Sequence, residues 1–243
     1  MAASSTTSHA RVADLAAGLA VAWMAGAATW RLAGLPASYP LAFSGLYSVM
    51  AAIVWAQLPR GAPGPGIGAA NRVTLGRAAL ATPVIAMPLI PSTLDAGAYW
   101  WIIVVSTLVL VLDGLDGKVA RRTGTETSFG ARFDMEVDAA LLLGLSALVW
   151  QSGKVGPWVL LIGALRYLFV IAGWVWPALT AELPPSQRRR VVCVVQGVVL
   201  LVALGPIIPA SAAVLVTAGG LAALVYSFGV DVRWAWAANT SSL

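Results

Sequence analysis

The stretch WWIIVVSTLVLVL, residues 100–112, carries no charge. Apolar runs of similar character recur near 11–34, 41–58, 72–91, 98–121, 130–151, 155–177, 189–205 and 208–229. Runs of about 20 apolar residues have the length a helix needs to cross the hydrocarbon core of a bilayer. Stretches rich in Pro and Gly separate them: GLPASYP, PRGAPGPGIGAAN, PLIPSTLDAG, QSGKVGP and AELPPSQ. Composition agrees, since 59% of the residues are hydrophobic and 10% charged, where soluble domains carry about a quarter charged residues. The pattern predicts an all-α, polytopic membrane protein with about eight transmembrane helices.

The basic residues test that division. With the N-terminus in the cytoplasm, Arg11, Arg60, Arg72, Arg121, Arg122, Arg132, Arg188, Arg189, Arg190 and Arg233 fall inside, and Arg31 and Lys154 outside. That is the asymmetry the positive-inside rule requires. The first span has a weakly charged leader and a long apolar run. It therefore reads as a retained helix rather than a signal peptide, although Ala25–Ala27 resembles a cleavage site. Trp100, Trp101, Trp150, Trp158, Trp174, Trp176, Trp234 and Trp236 fall near span ends and read as interfacial anchors. GAPGPGIG lacks the Gly-Lys-Ser/Thr of a phosphate loop and reads as a linker.

Several chemistries are excluded by what is missing. Cys193 is the only cysteine and His9, in the polar leader, the only histidine. A disulfide within the chain and a thiolate zinc site are thereby ruled out, and catalysis by a Cys–His pair or a Ser–His–Asp triad is close to excluded, because it would need the one histidine of the leader. What remains is carboxylates, arginines, hydroxyls, or a metal held by oxygen.

The carboxylates are concentrated. Of ten acidic residues, six (Asp113, Asp116, Glu126, Asp134, Glu136 and Asp138) fall between residues 113 and 138. On a helix, Asp113, Asp116, Gly117, Ala120 and Arg121 share a stripe about 140° wide. Gly117 and Ala120 leave that stripe bare enough for a ligand to reach the backbone, and Arg121 suits a phosphate. After the break at TGTETS, Gly130, Asp134 and Asp138 recur every four residues on one face of the next helix. A tight hairpin places both acidic faces at one depth, where four carboxylates repel unless cations sit among them. Oxygen-only ligands favour hard ions such as Mg²⁺, Mn²⁺ or Ca²⁺, and the geometry predicts a two-metal site. Glu136 points away from that face, and Glu126, Arg122 and Arg132 read as solvated or orienting charges.

This window resembles the signature of the CDP-alcohol phosphotransferase family, D-x2-D-G-x2-A-R-x8-G-x3-D-x3-D. It is complete here in Asp113, Asp116, Gly117, Ala120, Arg121, Gly130, Asp134 and Asp138. Upstream, NRVTLGRAALATPVI resembles the opening of the family's first core helix, with Asn71, Thr74 and Arg77 at the matching positions. The likeness covers roughly residues 70–228. It implies a six-helix catalytic core over 67–230, preceded by a tail, two additional helices and a linker over 1–66, and followed by a cytoplasmic tail over 231–243. It also implies transfer of a phosphatidyl group from CDP-diacylglycerol to an alcohol hydroxyl, with release of CMP, in phospholipid synthesis.

By position, the resemblance makes Asp113, Asp116 and Asp134 ligands of two divalent ions, Mg²⁺ or Mn²⁺. Asp138 shares the metals and acts as general base. Asn71, Thr74, Gly117, Ala120, Arg121 and Gly130 bind the CDP moiety. Arg166, inside an apolar span, and Arg188, Arg189 and Arg190, at the start of the next, suggest an anionic acceptor such as glycerol 3-phosphate, inositol phosphate or phosphatidylglycerol. An uncharged acceptor such as serine is the alternative within the same chemistry. A cation-coupled transporter is the alternative of another class, and it predicts acids on several separated helices. The expected partners are CDP-diacylglycerol, the lipid bilayer and a small alcohol or lipid acceptor, with no nucleic acid. Gly219-Gly220 suggests a homodimer contact. The expected location is a bacterial inner membrane, with the active site on the cytoplasmic side.

Overall fold

The computed structural model describes the backbone of residues 2–58, 66–123, 127–176 and 186–240, and the side chains of 8–58, 66–114, 127–176 and 186–236. Among the described residues there are eight α-helices and no strand. They are α1 (Ala2–Leu32), α2 (Tyr39–Gln57), α3 (Ala69–Ala86), α4 (Ala96–Thr123), α5 (Ser128–Gln151), α6 (Leu160–Val175), α7 (Gln187–Leu204) and α8 (Ala210–Thr240). Five described segments are long and apolar enough to cross a membrane: Ser8–Leu32, Tyr39–Gln57, Ala96–Gly114, Pro157–Val175 and Ala210–Trp236. The helices that fall short are α3, α5 and α7, and all three carry charge: Arg72 and Arg77, then Arg132, Asp134, Glu136 and Asp138, then Arg188 to Arg190. The apolar pattern is weakest where candidate chemistry is densest. The chain is a polytopic helical membrane protein.

It divides into two units, residues 1–144 and 145–243, with α5 passing through the boundary. In the first unit α1, α2, α3 and the first turns of α5 share one core, which includes Ala22, Tyr47, Val54, Leu75, Ala79, Phe133 and Val137. Two hydroxyls tie α2 to its neighbours: Tyr39 donates to the Pro83 carbonyl at 2.8 Å and Tyr47 to the Leu15 carbonyl at 2.7 Å. Trp101 Nε1 donates to Thr29 Oγ1 at 3.0 Å, so this tryptophan joins α4 to α1, whereas its neighbour Trp100 is exposed. The amphipathic indole serves either place, and the packing partner across the helix pair decides which.

Two glycines set the approach of α5 to α3. A Cβ at Gly130 would lie 2.5 Å from Asn71 Oδ1, and one at Gly144 would lie 3.1 Å from Ile85 Cα. Both contacts join positions 59 residues apart in sequence, so the two helices run side by side in the same direction. The connecting helix α4 therefore returns antiparallel to both, as the hairpin reading predicts.

In the second unit α8 packs on α7 and on α6. Gln196 Nε2 donates to the Gly220 carbonyl at 3.0 Å, and a Cβ on Gly220 would meet Val199 at 3.0 Å. Gly220 is thus used within the chain, between α7 and α8, while Gly219 faces open space. Phe169 and Phe228 stack edge to face, joining α6 to α8. Lys154 Nζ donates to the Gly205 carbonyl at 2.6 Å and so caps the end of α7. Helix α8 continues past residue 229 to Thr240, so the segment read as a tail begins in helix. No proline follows residue 229 to break it, and Asp231 is anchored as described below.

Candidate active site

The start of α3 is bent into place by glycine. Gly66 and Gly68 have φ of +72° and +90°, conformations that residues with a Cβ adopt only at a cost. Gly68 is the N-cap of α3, and one turn later Asn71 Nδ2 donates back to the Ile67 carbonyl at 2.7 Å. Asn71, Thr74 and Arg77, three residues apart on one helix, are all buried.

Helix α5 begins on a side-chain cap. Thr127 Oγ1 accepts the N–H of Gly130 at 2.9 Å, satisfying one of the open donors of the first turn. Gly130 then lies against Asn71, and Asp134 and Asp138 follow on the same side, one and two turns further.

Arg77 is the centre of the arrangement. Its side chain is fully buried. Nη1 donates to Asp134 Oδ1 and Nη2 to Asp138 Oδ1 at 2.6 Å, and Nη2 is also 2.9 Å from Asp113 Oδ1. Nε donates to the Val109 carbonyl of α4 at 3.3 Å. One guanidinium from α3 therefore joins one carboxylate of α4 and two of α5. The sequence reading expects a cation among these carboxylates, and the fold itself provides one. Spacing alone does not say which face of α3 turns toward the acids, so it assigns Arg77 no role, although the residue stands in the upstream likeness. A charged residue within an apolar span is the signal that points to it.

Asp113, Asp134 and Asp138 each offer a carboxylate oxygen within 4.8 Å of the others. They remain partly exposed, whereas Arg77 is not. Three negative charges against one positive leave the described cluster short of positive charge, and every offered donor is a hard oxygen. The residues fit a divalent ion. Asp116, Gly117, Ala120 and Arg121 lie on the α4 backbone, but their side chains are outside the described residues, as are Arg60, Arg122 and Glu126.

The basic candidates belong to the second unit. Arg166 is in the middle of α6 with its Nε buried. Arg188 Nη2 donates to Asp231 Oδ1, and Arg189 Nη1 is 3.6 Å from the same oxygen. Arg190 is exposed. The triplet therefore divides: two arginines face an internal carboxylate and the third faces outward. Nothing in the spacing points to Asp231 as their partner. It sits just beyond the span expected to end at 229, where an acid reads as a solvated tail charge.

A model of the CDP-alcohol phosphatidyltransferase family matches residues 68–228. The chain is also similar to a CDP-diacylglycerol–serine O-phosphatidyltransferase of Helicobacter pylori, 38% identical over 79 residues, which make up 30% of this chain and 30% of that protein. The match thus spans less than a third of that relative. No solved structure matches the chain. The family match runs from the N-cap of α3 into α8, takes in Asp113, Asp134, Asp138 and the arginine that joins them, and covers well over half of the sequence; the chain belongs to the CDP-alcohol phosphatidyltransferase family.

Proposed function

We propose that this protein transfers a phosphatidyl group from CDP-diacylglycerol to the hydroxyl of a small alcohol that carries no phosphate, serine being the acceptor best supported, with release of CMP. The observation that carries the chemistry is the convergence of Asp113, Asp134 and Asp138 around Arg77 in a member of this family. The similarity to a serine phosphatidyltransferase supports the acceptor.

Asp113, Asp116, Asp134 and Asp138 would hold two divalent ions, Mg²⁺ or Mn²⁺. When bound, such ions supply charge neutralisation on the donor diphosphate and on the departing CMP oxygen. Asn71, Thr74, Gly117, Ala120, Arg121 and Gly130 line the CDP site. Asp138 orients the acceptor hydroxyl and takes its proton as the oxygen bonds to the phosphatidyl phosphorus and the bond to CMP breaks. The charged ends of α4 and α5 lie at the cytoplasmic edge of a bacterial plasma membrane, with the diacyl tails in lipid and the nucleotide in water. The distribution of arginines supports that orientation.

A phosphorylated acceptor is the second reading. It rests on Arg166 within α6, exposed Arg190, and Arg188 Nη1, which is buried with no hydrogen-bond partner among the described residues. Asp231 weighs against it, because this carboxylate already offsets charge on Arg188 and Arg189. A transporter fits less well, since the three acids converge on one place rather than spacing out along several helices. The deciding assay supplies purified protein with Mg²⁺, CDP-diacylglycerol and either serine, glycerol 3-phosphate or inositol phosphate, and measures CMP. Release with serine is expected. Release only with a phosphorylated alcohol moves the assignment to the second reading, and no release with any acceptor from folded protein overturns phosphatidyl transfer.

A further inference from the structure

Asp14 belongs to α1, outside the stretch matched by the family, yet it is bonded to the first turn of the site helix α3. Its side chain is 14% exposed. Oδ2 accepts the backbone N–H of Ile67 at 2.9 Å and Oδ1 accepts Arg72 Nε at 2.8 Å. The space a Cβ on Gly66 would need is filled by Asp14 Oδ2, so that glycine is required both for its φ of +72° and for this approach. The carboxylate also sits at the positive end of the α3 dipole, where a negative charge is favourable.

The contacts continue inward. Ile67 is buried, and its carbonyl accepts Asn71 Nδ2 at 2.7 Å. Asn71 Oδ1 fills the space beside Gly130, one turn before Asp134. A chain of three contacts thus runs from α1 through Ile67 and Asn71 to the acidic helix, and each link fixes the next by a hydrogen bond or a close backbone approach. An ion pair that served only to fasten α1 would need Arg72 alone. Here the second oxygen is committed to the N–H of the residue whose carbonyl holds Asn71.

We propose that Asp14 is a positioning residue for the nucleotide donor, acting through Ile67 on Asn71, so that α1 forms part of the donor site's support. The inference rests on the reading that Asn71 binds CDP. It is tested on the full chain in detergent by titrating CDP in the presence of Mg²⁺, and by measuring KM for CDP-diacylglycerol and for the alcohol that supports CMP release. Losing a charge-assisted bond at this link corresponds to about a tenfold weaker CDP affinity in Asp14→Ala. The KM for the donor rises by a similar factor, and the KM for the alcohol stays unchanged. Gly66→Ala, which pushes on the same carboxylate from the other side, reproduces that pattern. Arg72→Ala leaves the Ile67 bond in place and costs under about threefold. Asp14→Asn keeps an acceptor oxygen without its charge and falls between the two, which supplies a measurement should Asp14→Ala not fold. Unchanged CDP affinity in Asp14→Asn and Gly66→Ala overturns the inference. So does a loss confined to the active fraction with both KM values intact. Wild-type protein that does not bind CDP at all overturns the donor-site reading itself, a result distinct from either.

Discussion

Arg77 is the residue on which the candidate site turns. A buried guanidinium is tolerated only where its donors are met, and here two carboxylates of α5, one of α4 and a backbone carbonyl meet them. Removing it leaves the carboxylates facing one another at low dielectric. Arg77→Leu should cost about 3–5 kcal/mol in EDTA, seen as a melting temperature lower by about 10 °C. Part of that loss should return when Mg²⁺ is added, because the ion restores the missing positive charge. A variant with wild-type melting in EDTA would show that Arg77 does not hold the acids together. Asp138 is argued differently, since its proposed role as base is exercised only during transfer. Asp138→Asn should lower kcat by at least about a hundredfold while CDP affinity changes little. Near-normal turnover by that variant would remove Asp138 as the base.

At the scale of helices, the close run of α3 beside α5 depends on Gly130 and Gly144. Ile85 Cα lies only 3.1 Å from where a Cβ at Gly144 would stand, and backbone cannot step aside as a flexible side-chain tip can. Gly144→Leu should therefore destabilise the protein by about 1–3 kcal/mol, read by thermal unfolding, with donor binding weakened as Asp134 and Asp138 shift away from Arg77. Gly130→Ala acts more locally, on Asn71, and should weaken CDP binding with little change in melting. In the second unit the Arg188–Asp231 pair joins α7 to α8. Asp231→Asn should lower the melting temperature and strengthen inhibition by inorganic phosphate, because Arg188 and Arg189 lose their internal counter-charge. Unaltered phosphate inhibition would count against an anion site at these arginines.

At the scale of the whole chain, helices that cross a membrane must satisfy their backbone polar groups internally, so charge is admitted only where it is paired or reaches water. The three helices too polar to pass as simple spans, α3, α5 and α7, carry charges that meet partners: Arg77 with the aspartates, and Arg188 with Asp231. The proposed orientation can be checked with single cysteines in a Cys193→Ser background. Arg190→Cys should react with an impermeant maleimide only after the membrane is opened, and Lys154→Cys should react in intact cells. The reverse pattern would invert the topology and put the acids on the outer side.

Much of this was legible in the linear order. Eight apolar runs punctuated by Pro and Gly anticipate the eight α-helices of the described residues, because length and apolarity are properties of consecutive residues. The spacing of Asp134 and Asp138 places them on one face of α5 for the same local reason. Partners across the fold are another matter. Arg77 meets residues 57 and 61 positions away, and Asp14 reaches Ile67 across 53. Helical periodicity says which residues share a face but not what that face meets. The cation among the acids, the asparagine in the gap beside Gly130, and the carboxylate at the start of α3 came from packing. Helix rotation is set by close approach at glycines and by the need to neutralise buried charge, and both act between segments far apart in the chain.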